Sequence, residues 1–221
     1  MGRRFLISGT DTGVGKTTLG SGLAFALQIR GLRVGVMKPV ETGCTPGDAG
    51  LIAADAEALN AGSFANWPME LICPYRYRAP LAPAAAAAAD GLPPPDPEQI
   101  AAAYRRIEAN ADVMIVEGAG GLMVPITWEQ NFADLALMLD LELVLVIANR
   151  LGAINSALLT LDYAARRRMR IAGYALSDVE PGSSPAMETN PRSLAQLTSV
   201  LCLGHTRHKA PLDPAIVQHL L

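Results

Sequence analysis

The chain has 221 residues and a mass of 23.3 kDa; it is 50% hydrophobic and 18% charged, with a formal charge of -3 and a pI near 5.6. That balance allows a substantial buried core and excludes wholesale disorder, and the lack of any basic excess removes the electrostatic footprint of a nucleic-acid binder. No apolar stretch reaches the roughly 18 residues of a membrane span, because Arg, Asp or Glu interrupts each one, and the apolar run after Arg4 is too short for a secretory core. The expectation is a cytoplasmic protein with no membrane contact and one domain over residues 1–221. Cys44, Cys73 and Cys202 are widely separated and form no CxxC pair, so they read as scattered structural thiols.

In chain order, short aliphatic runs at residues 5–8, 34–38, 113–117, 143–148 and 171–176 predict strands. None shows the alternation of a sheet wet on one face, so each is expected to be covered on both sides. Between them, helices are predicted to begin near Lys16, Leu51, Pro97, Asn131, Ala153 and Pro191, the first running through Leu19, Leu23 and Leu27 until Gly31 ends it. The alanine run 84–89, bracketed by prolines, reads as a short helix stopped by a stiff loop, with an interdomain linker as the alternative. Strands alternating with helices predict an α/β fold with a doubly wound, mostly parallel sheet flanked by helices. The late histidines, His205, His208 and His219, read as surface or loop residues, since no positioned nucleophile accompanies them.

The most specific string is Gly9-Thr10-Asp11-Thr12-Gly13-Val14-Gly15-Lys16-Thr17-Thr18, between the first strand and the first helix. Binding phosphate there needs converging backbone N–H groups at a helix N-terminus, glycines for the tight path, a lysine reaching terminal oxygens, and a hydroxyl for magnesium, the part that falls to Thr17. Strictly, the phosphate-loop pattern puts its first glycine where Thr10 stands, with Gly9 one place early, so this is a variant form. Glu117 closes a very apolar strand and precedes Gly118, Ala119, Gly120 and Gly121; Asp55 opens or sits within a helix after a Gly-rich loop. Both are candidates to hold magnesium or its water shell with Thr17, the plainer role of each being a cap. Lys38 ends the second strand before Pro39-Val40-Glu41-Thr42-Gly43. It is a candidate to neutralise a transferred phosphoryl group or an anionic substrate, or else a snorkelling terminal residue.

Taken in order, these blocks closely resemble the dethiobiotin synthetase family, the ATP-dependent carboxylases of biotin synthesis. The phosphate loop, Lys38-Pro39-Val40 with Thr42-Gly43, Val116-Glu117-Gly118-Ala119-Gly120-Gly121 and Leu151-Gly152-Ala153-Ile154-Asn155 match the family's four blocks over roughly residues 3–180. The resemblance implies a P-loop NTP hydrolase-like fold, a homodimer, and magnesium ATP, 7,8-diaminononanoate and carbon dioxide as what it works on. It further implies that Lys16 and Lys38 bind and neutralise the phosphoryl group and a carbamate, that Thr12 and Thr42 line the reacting end, and that Thr17, Asp55 and Glu117 organise magnesium. Gly13, Val14, Gly15, Lys16, Thr17 and Thr18 would cradle the nucleotide's phosphates, with Ser177 and Asp178 near its base. Gly118 would lie against the substrate, and Leu151, Gly152, Ile154 and Asn155, at a helix start, would receive its carboxylate across the dimer interface.

The sequence departs from the family's pattern near the base. Ser177-Asp178 stands where asparagine followed by aspartate is common, and Leu203-Gly204-His205-Thr206-Arg207-His208-Lys209 matches the later nucleotide loop poorly. The shorter serine lacks the amide's paired donor and acceptor, which implies a more permissive base pocket. Two rivals share parts of the motif set: a related phosphate-loop amide ligase, for whose glutaminase domain the chain has no room, and a partitioning-type ATPase, whose signature lysine is replaced here by Asp11.

Overall fold

A computed structural model describes residues 2–48 and 50–221, and within them six strands pair in parallel. They are β1 (Arg3–Gly9), β2 (Val34–Met37), β7 (Val113–Gly121), β8 (Glu142–Ala148), β9 (Ile171–Ser177) and β10 (Cys202–Thr206), in the order β10-β9-β8-β1-β7-β2. Two small sheets stand apart: β3 (Val40–Thr42) pairs in parallel with β6 (Tyr75–Tyr77), and β4 (Thr45–Gly47) pairs antiparallel with β5 (Gly50–Ile52).

Successive side chains of a strand point to opposite faces, and each face of the large sheet has its own core. Phe5, Ile7, Val34, Val36, Ile115, Val144 and Val146 pack on one face with helix α1 (Lys16–Gln28), α2 (Ala54–Ser63) and the C-terminal α9 (Pro214–Leu220). Leu6, Met37, Met114, Val116, Leu143, Leu145 and Ile147 pack on the other, beneath α4 (Pro83–Asp90), α5 (Pro97–Glu108), α6 (Phe132–Met138), α7 (Ala153–Arg166) and α8 (Pro185–Leu197). A short α3 (Met69–Ile72) completes the helices. This is the doubly wound parallel architecture that the aliphatic runs predict. Each fully buried aliphatic side chain contributes about 1.5–3 kcal/mol, so the two-sided core dominates the stability.

Several boundaries differ from the sequence reading. The helix expected near Leu51 begins three residues later at Ala54, because Leu51 lies in β5. The helix expected at Pro191 begins at Pro185, whose ring suits a first helical turn and follows Ser184, a side-chain cap accepting from Met187 N. Pro191 is therefore inside α8; it cannot donate to Met187 O, and Asn149 Nδ2 takes that carbonyl instead at 3.1 Å. Strand β7 runs past Glu117 to Gly121, so Glu117 is interior to a strand rather than at its end. The segment expected as a late loop includes β10; His205 lies on that strand and His219 in α9. The alanine run is a helix, begun by Pro83 and ended at Gly91 in the left-handed conformation.

β1 sits between β7 and β8, and the chain leaves it toward one sheet edge while β9 and β10 build the other. A crevice opens at the carboxyl end of β1, where ligands of open α/β sheets bind.

Candidate active site

The loop from Gly9 into α1 turns through Gly13 and Gly15, with φ of 70° and 93°. Gly15 caps α1 with no side-chain hydrogen bond, so the first amides of the helix face the crevice unclaimed by a cap. A Cβ on Gly15 would stand 2.5 Å from Ser177 Oγ, so only glycine lets the loop lie on the end of β9. Val14 is buried beneath the loop. Lys16 Nζ donates to Asp11 O at 3.0 Å, Thr12 N donates to Asp11 Oδ1 at 2.7 Å, and Arg150 Nη2 reaches Asp11 Oδ2 at 3.0 Å. Burial, with the like charge of Lys38, lowers the Lys16 ammonium below the usual lysine range.

Beside the loop is a buried charge cluster. Lys38, 3% exposed, donates from Nζ to Glu117 Oε1 at 2.5 Å and to Asp55 Oδ2 at 2.9 Å, with Gly118 O at 3.4 Å. Glu117 is fully buried, and its Oε1 also accepts from Thr17 Oγ1 at 3.0 Å. Burial alone would lower the Lys38 ammonium, but the charges of Glu117 and Asp55 outweigh it and hold Lys38 well above the ordinary lysine range. Burial likewise works to raise Asp55, yet Lys38 holds that carboxyl below its usual value. Burial drives the Glu117 carboxyl upward, with the Lys38 ammonium and the Thr17 hydroxyl holding against it.

The hydroxyl of Thr17 and the carboxylates of Asp55 and Glu117 form an all-oxygen set of the kind magnesium takes. Glu117 Oε2 is buried with no hydrogen-bond partner among the described residues, and both carboxylates already converge on one cation, the Lys38 ammonium. On these two observations the residues fit a hard divalent ion.

Thr12, Gly13, Gly15, Lys16, Thr17, Thr18, Lys38, Thr42, Asp55 and Glu117 line one cleft of ≈ 620 Å³. Of the residues singled out in the sequence, Gly118 meets this cleft only through its carbonyl contact with Lys38. Ser177 backs the loop at Gly15. Asp178 Oδ1 is engaged by Asn149 Nδ2 at 2.9 Å and His205 Nε2 at 2.8 Å. Leu151, Gly152, Ile154 and Asn155 do not line the cleft; Gly152, with φ of 91°, opens α7 without a side-chain cap, while Leu151 and Asn155 are exposed.

The profile of a family described as an AAA domain matches residues 3–215. The chain is similar to the ATP-dependent dethiobiotin synthetase BioD of Anaeromyxobacter sp. (strain K), 40% identical over 196 residues, covering 89% of this chain and 86% of the relative. It is 36% identical over 208 residues to the protein of the same name from Thermodesulfovibrio yellowstonii, covering 90% and 86%. The chain belongs to the dethiobiotin synthetase family. Among solved structures, the MinC:MinD cell division protein complex of Aquifex aeolicus matches with a TM-score of 0.57 at 14% identity, over 98% of this chain and 86% of that one. A ParA family ATPase from Chlorobium tepidum TLS matches with 0.54 at 17%, over 99% and 89%. Chloroplast FtsY from Physcomitrella patens matches with 0.53 at 19% over the whole chain, which spans 65% of the FtsY chain. At these identities the likeness shows the shared P-loop fold alone.

Within this dethiobiotin synthetase family member, three side chains at the site escaped the sequence reading. Asn149 joins the ends of β8 and β9 through Asp178 and is itself held by Asn190 of α8 at 3.0 Å. Arg150 reaches back to the phosphate loop. Glu41, on β3, lines the cleft with both carboxylate oxygens turned onto backbone amides of α2. None carries a motif, and only its three-residue spacing from Lys38 draws attention to Glu41.

Proposed function

We propose that the protein carboxylates and cyclises 7,8-diaminononanoate with carbon dioxide and ATP, giving dethiobiotin, ADP and phosphate, and that the whole chain acts as one ATP-binding unit in a cytoplasmic homodimer. The observation that carries this reading is the meeting of the phosphate loop, the Lys38 ammonium and two carboxylates in a single cleft, in a chain 40% identical to relatives named for this activity.

In this reading an amine of the substrate first adds carbon dioxide to form a carbamate. A carbamate oxygen then attacks the γ-phosphorus of ATP, ADP leaves, and a carbamic–phosphoric anhydride results. The second amine attacks the carbonyl carbon, phosphate departs with the C–O electron pair, and the cyclic urea closes with loss of protons. Phosphoryl transfer of this kind needs alignment and positive charge more than a protein nucleophile. Lys16 and Lys38 supply that charge at the transferred group, the amides at the start of α1 bind phosphate oxygens, and Thr12 and Thr42 line the reacting end. Bound by Thr17, Asp55 and Glu117, magnesium would neutralise charge on the phosphate oxygens. Ser177, with a single hydroxyl, discriminates less between bases than an amide does.

The uncapped start of α7, at Gly152, Ile154 and Asn155, lies outside the cleft of its own subunit, which supports its use by a second copy to receive the substrate carboxylate. The fold's likeness to partitioning ATPases is matched by no comparable sequence identity, and Asp11 occupies the place of their signature lysine.

The test is incubation of the purified protein with ATP, magnesium, the diamine and 13C-bicarbonate, read by mass spectrometry. The expected product is a cyclic urea carrying one 13C, formed only when diamine and ATP are both present. ATP consumption without any diamine-dependent product would overturn the proposal. Analytical ultracentrifugation reads the dimer.

A further inference from the structure

Helix α2 carries Asp55, yet it lacks a cap of its own. The residue at its N-cap position is Ala53, which can offer no side-chain acceptor, although an N-terminus of this kind normally needs one. The acceptor comes instead from a different element. Glu41, on β3 and 7% exposed, accepts from Asp55 N through Oε1 and from Ala56 N through Oε2, both at 3.0 Å. Its negative charge also lies at the positive end of the α2 dipole.

The position of Glu41 is fixed independently of α2. Val40, Glu41 and Thr42 pair with Tyr75, Arg76 and Tyr77 of β6; at either end of this pairing Lys38 N donates to Ile72 O at 2.8 Å, and Cys44 N to Tyr77 O at 2.9 Å. One short stretch therefore does two things. Lys38 places its ammonium against the Asp55 carboxylate, and Glu41, three residues on, grips the backbone from which that carboxylate projects. Both oxygens of Glu41 are engaged by amides of α2, so in the cleft it holds that backbone.

We propose that Glu41 is a positioning residue that fixes Asp55 in the Lys38–Glu117 cluster by capping α2 from β3. The consequence for metal binding rests on the magnesium reading given above; the consequence for the cluster itself does not.

Two measurements on the full-length protein separate these. The first is a double-mutant cycle on metal-free protein, read by urea unfolding, with Glu41→Ala and Asp55→Ala. Removing Asp55 should change the unfolding equilibrium constant less in the Glu41→Ala background than in the wild type, by about threefold or more. Glu41→Gln, which keeps the volume and one acceptor, serves in the same cycle should the alanine variant be poorly folded. An Asp55→Ala effect of equal size in both backgrounds would overturn the proposal. The second is Mn2+ binding in the presence of a non-hydrolysable ATP analogue, read by electron paramagnetic resonance. Glu41→Ala should weaken it by about 3- to 30-fold, the range that loss of a cap corresponds to. Asp96→Ala, which removes the comparable cap from α5, should leave it at the wild-type value. Equal weakening in both would reduce Glu41 to a contributor of stability and overturn its positioning role. Absence of Mn2+ binding by wild-type protein would refute the magnesium reading, while the cycle still decides the role of Glu41.

Discussion

Replacing Lys38 by methionine keeps most of the aliphatic stem and deletes the ammonium from a place where two carboxylates meet. Glu117 is fully buried and Lys38 nearly so, while the Asp55 side chain is 44% exposed. The Asp55 contact is accordingly screened by solvent and contributes about 1 kcal/mol or less, so most of the cost falls on Glu117. Removing one partner of a buried ion pair typically destabilises by about 3–5 kcal/mol, because the other charge is left buried and uncompensated. In a domain of 150–250 residues each kcal/mol moves the midpoint by about 2–4 °C. Lys38→Met should thus lower Tm by roughly 6–20 °C in EDTA. Magnesium should then stabilise the variant more than the wild type, since no ammonium competes for the carboxylates. Differential scanning calorimetry with and without magnesium reads both quantities. A variant within about 1 °C of the wild type in EDTA would refute the claim that Lys38 is the counter-charge of Glu117.

Three further outcomes follow from particular contacts. Gly15→Ala should weaken ATP-analogue binding more than tenfold by calorimetry with circular dichroism unchanged, because its Cβ would meet Ser177 Oγ and its φ of 93° disfavours any side chain; full recovery on adding Ser177→Gly would mean that the backbone conformation was not part of the cost. Asn131 and Asp134 form a reciprocal capping box on α6, and Arg167 Nη2 lies 2.6 Å from Asp134 Oδ1. Burial would raise the Asp134 carboxyl, but the Asn131 amide and Arg167 outweigh it and lower it from 3.8. The stability that Asp134 contributes is therefore present above pH 3.8 and lost as pH falls through the lower folded value. Asp134→Asn should cost about 0.5–2 kcal/mol at pH 7 and less in acid, and a pH-independent difference in urea unfolding would count against the assignment. Of the three thiols, Cys202 is exposed, whereas burial pushes Cys44 up to about 11 and Cys73 further still. A chromogenic disulfide reagent at pH 8 should react rapidly with one thiol per folded chain and with three after unfolding; rapid reaction of two in the folded chain would contradict this packing.

What the sequence discloses and what it hides divide along physical lines. The five predicted strands are continuous aliphatic runs because helices cover both faces, and the phosphate loop is legible because its parts are consecutive. β10 escapes notice for the opposite reasons: it is an edge strand paired only with β9, and Leu203 is its single buried aliphatic residue. The start of α2 is hidden from the sequence because Leu51 is drawn into β5 and the helix cap is supplied by Glu41, 14 residues away, a contact that no local pattern reports. Pro191 suggests a helix start, yet Asn149 takes the carbonyl that the proline cannot reach, which lets α8 begin a turn and a half earlier. Lys38, Asp55 and Glu117 could be named separately, but their convergence depends on β7 lying beside β1 and β2, a fact of topology and not of spacing.

The central place of β1 bears on how the protein is made. Its neighbours, β7 and β8, begin at Val113 and Glu142, so β1, once it has left the ribosome, waits for about 100 further residues before it can pair, some 5–20 s at common rates of synthesis. Through that interval the future phosphate loop is attached to an unpaired apolar strand. The same late pairing delivers Glu117 to Thr17 and Lys38, so nucleotide-binding geometry and completion of the sheet arrive together, and a truncated chain ending before β7 has no way to assemble the cleft.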